Sequence, residues 1–411
     1  MLWKKIESKQ VLFLWASFCS FFLILPSGFC DSQWDWPQFH GSHRDRISNE
    51  SDWLSKWSGK EPEIKWTKSA GIGFSSFSVK NGRVFTMGNE KDRDAVWCFD
   101  AETGQEIWRY SYDCELFPNM HEGGPGCTPT VDEESVYTIS KDGQLYCLDV
   151  KSGKERWKKN IQKEYNTTMP TWRFAVSPLL DGDRIIIDVG PTVALNKKTG
   201  DAVWITENYE SAYSSPISFS MNGVQYVAVL PKYGLVILDL KTGKEFGKFP
   251  WETSYGINAA TPLIFENKVF ISSGYSKGGS LLEIAPSGEM KEIWHNRLLR
   301  NHMNACVLWK GFLYGFDEST LKCVDVKTGK DVWMDRSLGK GSLMLADGKL
   351  IVLGETGELA VAEASEKGFA PTGRKKVLSG RCWTIPVLSN GKIFCRNAAG
   401  DVVCLDVKKK S

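Results

Sequence analysis

A single phrase, repeated along the chain, limits what this sequence can fold into. It runs apolar strand, Asp, two residues, Thr/Ser-Gly, three residues, Trp. It occurs as Cys98-Phe-Asp-Ala-Glu-Thr-Gly-Gln-Glu-Ile-Trp108, as Cys147-Leu-Asp-Val-Lys-Ser-Gly-Lys-Glu-Arg-Trp157 and, with Asn for Asp, as Leu195-Asn-Lys-Lys-Thr-Gly-Asp-Ala-Val-Trp204. Val324 to Trp333 carries it in full, Leu238 to Gly247 lacks only the Trp, and Pro286 to Trp294 is looser. From Trp66 through Trp108, Trp157, Trp204, Gly247 and Trp294 to Trp333 the spacing runs between 39 and 49 residues. That period is one four-stranded sheet long and signifies the blades of a β-propeller.

Each part of the phrase has a physical role. Asp and Thr-Gly make a tight turn between the third and fourth strands, where Gly takes a φ other residues avoid. Trp66, Trp108, Trp157, Trp204, Trp294 and Trp333, at the start of the outer strands, are expected to dock between neighbouring blades. A second marker, a small residue plus Pro, opens the inner strands at Thr128-Pro129, Ser177-Pro178, Ser215-Pro216 and Thr261-Pro262, with Thr384-Ile-Pro386 one residue longer. Pro costs no ladder bond at a strand's first residue. Turns such as Lys80-Asn-Gly-Arg83, Ala346-Asp-Gly-Lys349 and Ser389-Asn-Gly-Lys392 read as hairpins.

Counting inner strands near Phe77, Thr130, Pro178, Pro216, Pro262, Cys306, Met344 and Pro386 predicts an all-β, eight-bladed β-propeller of four-stranded antiparallel blades. The last blade runs out three strands in. Its outer strand is expected from Glu63-Ile-Lys-Trp66, so that an N-terminal strand closes the ring and removes the exposed sheet edges. Seven blades is the alternative, because the unit from Ala346 to about Lys376 lacks the phrase.

The ends divide the chain into a leader at 1–30, an N-terminal extension at 31–60 and the propeller at 61–411. Lys4, Lys5 and Lys9 precede an apolar run from Val11 to Leu25, broken by Pro26-Ser27-Gly28, which reads as a secretory signal peptide. The run is shorter than the roughly 20 residues of a spanning helix, so the mature chain is expected not to be an integral membrane protein. A periplasmic or extracellular location follows, with a lipid anchor at Cys30 less favoured because Phe29 precedes it. Lys plus Arg is 51 against 49 Asp plus Glu, a balance that argues against nucleic acid as partner.

Export puts cysteines in an oxidising compartment. Cys98, Cys147, Cys323 and Cys404 fall at apolar strand positions and read as core. Cys114 and Cys127 flank the long connection between the first two blades and are expected to form a disulfide. His40-x-x-His43 has no further ligands nearby in sequence, and no metal site is expected. Residues just before each inner strand crowd one mouth of the ring. The candidate binding residues there are Glu122, Trp172, Arg173, Tyr213, Tyr255, Asn258, His302, Asn304, Arg381 and Trp383, side chains suited to a carboxylate, a sugar or a protein surface.

Asp-x-x-Thr-Gly-x-x-x-Trp resembles the tryptophan-docking motif of quinoprotein dehydrogenases and of BamB-like outer-membrane assembly proteins. Trp36-Pro-Gln-Phe-His-Gly41, Gly124-Pro-Gly-Cys-Thr-Pro-Thr-Val131 and Trp172-Arg-Phe-Ala-Val-Ser-Pro178 are similar to stretches of exported PQQ-repeat proteins common in planctomycete-type bacteria. The resemblance covers about residues 34 to 411 and implies the fold more strongly than an activity. It implies a binding or scaffold propeller that presents a loop face or central funnel to a protein or small ligand, with a role in envelope assembly. A PQQ-dependent alcohol or sugar dehydrogenase and a glycan- or peptide-binding propeller are the alternatives. The dehydrogenases carry two adjacent cysteines above the quinone, and this chain has no such pair. No cofactor is therefore expected, although PQQ stays open, and an enzyme is the lesser reading.

Overall fold

The computed structural model describes residues 33–59 and 61–409. The predicted leader, with Cys19 and Cys30, lies outside the described residues. Eight four-stranded antiparallel sheets follow one another around a ring, as expected, and the seven-bladed alternative falls. The first blade is Ser78–Lys80, Arg83–Glu90, Arg93–Asp100 and Glu106–Asp113, numbered from the axis outward. The unit without the phrase is nonetheless a full seventh blade, Gly341–Ala346, Lys349–Gly354, Glu358–Glu363 and Pro371–Lys376. Among the described residues no helix is long and apolar enough to cross a membrane.

The repeated turn forms because its polar groups bond locally. Asp100 Oδ1 accepts from Thr103 N–H at 2.7 Å and Thr103 Oγ1 at 2.8 Å, and Gly104 follows at φ +68°. The same set recurs at Asp149 with Ser152, Asp239 with Thr242 and Asp325 with Thr328. Each docking Trp then lies on the turn of the following blade. Trp66 Nε1 donates to Ala101 O, Trp108 to Val150 O, Trp157 to Lys197 O, Trp204 to Leu240 O, Trp294 to Val326 O and Trp333 to Ser365 O, at 2.8–3.2 Å. A Cβ on Gly104 would meet the Trp66 indole at 2.6 Å, so Gly is required there for close approach as well as for its φ.

The ring closes through Glu63–Ser69, which pairs antiparallel with Asp401–Asp406 as the outer strand of the eighth blade. Trp66 on that strand docks onto the first blade. The small residues that open the inner strands have a shared purpose. Ser76 N–H donates to Thr128 Oγ1 at 3.0 Å, Thr128 N–H to Ser177 Oγ at 2.9 Å, and Ser177 N–H to Ser215 Oγ at 2.9 Å. Converging strand ends leave little room at the axis, and these hydroxyls stitch one blade to the next.

The extension is part of the ring's interior. Ile47–Ser48 pairs parallel with Gly341–Ala346 on its axial side. Trp36 exchanges two backbone hydrogen bonds with Val79, and Val131 N–H donates to Pro37 O. Arg44 reaches carbonyls of Ser177, Pro178 and Pro216, and Arg46 reaches Cys306 O. Residues 36–48 thereby bond the inner edges of six blades and block the axial channel.

Candidate functional site

Connections between blades crowd one mouth of the ring, and there they surround a cavity of about 350 Å³. Aromatic side chains make its wall: Phe74, Trp172, Tyr213, Tyr275 and Trp383, with His121 and His302 between them. Phe39, from the segment that blocks the channel, also lines it, so the cavity is a cup rather than a pore. Phe74 stacks on Trp383 at 5.6 Å and meets His121 edge-on at 5.3 Å; Trp172 meets Tyr213 at 6.1 Å, and Tyr275 meets His302 at 4.9 Å. Edge and offset contacts of this kind fix ring orientation beyond what burial alone does.

Five of the ten sequence candidates line this cup: Trp172, Tyr213, His302, Asn304 and Trp383. Asn304 Nδ2 donates to Trp383 O at 2.9 Å and ties their two connections together. Three others stand one step out. The Arg381 guanidinium lies 4.4 Å from the Trp383 ring centroid and pairs with Glu122 at 2.9 Å. Arg173, at φ +68°, covers the Phe117 ring at 4.2 Å and is 3.6 Å from Asp142. Tyr255 is 79% exposed and touches Tyr275 only by its edge. Asn258 is a correction: it is fully buried and outside the cup wall. Its Nδ2 donates to Pro231 O at 2.8 Å and its Oδ1 accepts from Ser273 Oγ at 2.8 Å, so it braces loops of the fourth and fifth blades.

The expected disulfide is also corrected, since Cys114 and Cys127 are both free, buried thiols. Lys141 Nζ stands 2.9 Å from Cys114 Sγ, and Cys127 Sγ accepts from Ile139 N–H at 3.4 Å. Burial pushes the Cys127 thiol up to about 12 and Cys114 up as well, so neither is a ready nucleophile.

Sequence reasoning misses Phe74, although it precedes the first inner strand as the other candidates precede theirs. His121, beside the candidate Glu122, is equally within reach of that rule. Tyr275, Lys141 and Phe39 are not, because they come from hairpin turns and from the extension. Burial lowers His121 and, with the nearby Lys340 charge, His302, leaving both imidazoles neutral at pH 7. The cations are already engaged: Lys340 with His302 Nδ1 at 3.2 Å, Arg381 with Glu122, and Lys141 with Cys114. Among the described residues no Asp or Glu lines the cup, and no three His, Cys, Asp or Glu converge to hold a metal. A metal–quinone pair needs oxygen ligands and free cations for three carboxylates. This wall does not fit that requirement.

Comparison with known proteins agrees with the architecture. An outer membrane protein assembly factor BamB of Burkholderia pseudomallei (strain K96243) is 23% identical over 313 residues, covering 71% of this chain and 74% of that one. A quinoprotein alcohol dehydrogenase, PedH, of Pseudomonas putida is 33% identical over 150 residues, 36% of this chain and only 23% of that enzyme. Among solved structures, BamB from Moraxella catarrhalis matches with a TM-score of 0.63 at 13% identity, over 85% of this chain and 99% of that one. A europium-containing methanol dehydrogenase matches at 0.69 and 12% identity, over 92% of this chain and 99% of that one. At such identities the structural matches speak to the fold alone. The family model for outer membrane protein assembly factor BamB matches residues 92–335, more than half of the 411, and the chain belongs to that family.

Proposed function

We propose that this protein is a non-enzymatic binding propeller of the cell envelope, which presents the aromatic cup to an apolar or aromatic segment of a protein partner. The observation that carries the reading is the cup's wall: stacked rings, neutral imidazoles and cations already paired. Such a surface gains affinity by burying apolar groups, about 25 cal/mol for each Å² removed from water. At about 350 Å³ the cavity is at the small end of ligand pockets and suits a few side chains rather than a large cofactor. Membership of the BamB family and the match to a BamB over most of both chains support an assembly role after export.

The dehydrogenase reading has one observation in its favour, the local similarity to PedH. Both are decided together. A photo-crosslinking residue placed at Met120, which lines the cup and is 86% exposed, should capture an envelope protein from cells. Tyr213→Ala with Tyr275→Ala should abolish that crosslink while the protein remains folded. An unchanged crosslink overturns the cup as the binding surface. Alcohol- or sugar-dependent dye reduction by protein incubated with PQQ and Ca²⁺ overturns the non-enzymatic reading.

A further inference from the structure

The segment that blocks the channel has two faces. Phe39 lines the cup, whereas His40, His43, Arg44, Asp45 and Arg46 line a second cavity, of about 180 Å³, further along the same inner strands. Its remaining walls are Ile217 to Phe219, Thr261 to Ile264, Ala305 and Cys306.

The two arginines are not equivalent. Arg44 is almost wholly used up: Nε donates to Gln38 Oε1 at 3.1 Å, Nη1 to Pro216 O at 2.7 Å, and Nη2 to the carbonyls of Ser177 and Pro178. Among the described residues Arg46 has only Cys306 O at 3.3 Å from Nη1 and His40 Nε2 at 2.9 Å from Nη2. Its Nε is buried with no hydrogen-bond partner among the described residues, and the residue is 1% exposed. A guanidinium carries five N–H donors, so more than half of this one is unspent. Thr261 Oγ1, in the same cavity, is another buried group without a hydrogen-bond partner among the described residues.

Charge makes the same point. Among the described residues neither guanidinium has a carboxylate within ion-pair distance; Asp45, on the wall of the same cavity, attracts Arg46 from further off, and its Oδ1 accepts from Ile47 N–H at 2.9 Å. Two buried cations on the wall of one cavity, one of them with unspent donors, are costly unless enough counter-charge is supplied. Backbone carbonyls satisfy Arg44. They do not satisfy Arg46.

We propose that the second cavity is an anion site: a small carboxylate or tetrahedral oxyanion held by Arg46 Nε and its free Nη hydrogens and by Thr261 Oγ1, with exposed His43 at the opening. A planar fork of donors suits a two-oxygen acceptor. The volume admits an ion of phosphate or acetate size, far smaller than the occupant of the cup. Bound there, the anion would neutralise the segment that seals the channel and would couple the seal to the ionic surroundings. The site does not depend on what the cup binds.

The test titrates the full mature chain with inorganic phosphate and separately with acetate, at ionic strength held constant by the bulky HEPES anion. Saturable heat of binding and a rising melting temperature are expected. Thr261→Val keeps shape and removes one donor, and should weaken binding about threefold; Arg46→Gln should weaken it at least about tenfold. If Arg46→Gln fails to fold, Arg46→Lys retains the charge but not the fork and should still bind about tenfold more weakly. Arg381→Ala, on the cup side, should bind as the parent does. Absence of saturable binding to the parent would mean that water serves the unspent donors and would overturn the site. Equal gains in melting temperature across all variants would mean general ion exclusion and would overturn it too. Binding of phosphate without acetate, or the reverse, identifies which source of the shared chemistry the cavity takes.

Discussion

Trp57 lies on Gly373, so that a Cβ added to Gly373 would stand 2.3 Å from the indole. Gly373 pairs with Val361 in the register that sets Trp108 opposite Cys98 and Trp333 opposite Cys323. The seventh blade therefore has no docking Trp of its own and receives one from the extension. Thr372 O accepts from Trp57 N–H at 3.0 Å, and Thr372 Oγ1 donates to Ser55 O at 2.7 Å, which fixes the loan. The fourth blade solves the same lack differently: Gly247 lets the backbone of Gly288 approach, with 2.1 Å from a notional Cβ to Gly288 O.

Trp57→Ala should therefore destabilise the ring as loss of a native docking Trp would, by about 3–5 kcal/mol, the usual range for truncating a buried Trp. Trp66→Ala, at the closing strand, is the comparison. Urea unfolding of both variants and the parent measures the two losses. A Trp57→Ala protein as stable as the parent would show that the extension merely rests on the blade.

How far the sequence can be read follows from the range of the contacts. Asp100 with Thr103 is a bond across three residues, so the turn is written locally and repeats visibly. The cup is half legible because one rule, residues before an inner strand, finds Trp172, Tyr213 and Trp383. Arg44 with Pro216 O spans 172 residues and Arg46 with Cys306 O spans 260, and no local pattern announces either. Hence the extension reads as an appendage, when it supplies the channel seal, the base of the cup and a docking indole. Spacing gives Cys114 the wrong partner for a related reason: its neighbour is a lysine from the next blade's hairpin.

The thiols supply a direct check on that correction. Peptide mapping of alkylated, non-reduced protein should recover Cys114 and Cys127 modified singly after unfolding and protected before it. Cys114→Ser should cost about 1 kcal/mol or less, since the hydroxyl can still accept from Lys141. A Cys114–Cys127 crosslinked peptide would reinstate the disulfide.

Arg173 and Arg381 lie at the edge of the cup in half-exposed pairs, with Asp142 and Glu122 respectively. Exposed ion pairs of this kind contribute about 0–1 kcal/mol. The double replacement by Ala should leave the melting temperature nearly unchanged while weakening capture of the partner, because Arg381 holds one face of Trp383. Calorimetry of the variant beside the crosslinking assay separates the two effects. A large loss of stability would make the arginines structural.

Asp188 supplies a pH dependence with a definite sign. It is fully buried in the third blade, with Thr192 Oγ1 donating to it at 3.2 Å, and burial raises its carboxyl to about 7. In the unfolded chain it titrates near 3.9. Below about pH 4 the group is protonated in both states and costs nothing. As pH rises from there the unfolded chain releases a proton that the folded one keeps, so stability falls until about pH 7. His40 acts in the opposite sense: burial, then Arg46 and Arg44, hold it well below its usual value, and stability is lost as pH drops below about 6.5. The parent's profile mixes the two slopes, and a variant isolates one. Asp188→Asn keeps the shape and removes the charge, so its stability relative to the parent should rise by about 3 kcal/mol between pH 4.5 and pH 8. Urea unfolding at both pH values measures it. An identical difference at the two would show that Asp188 is ionised in the folded protein throughout.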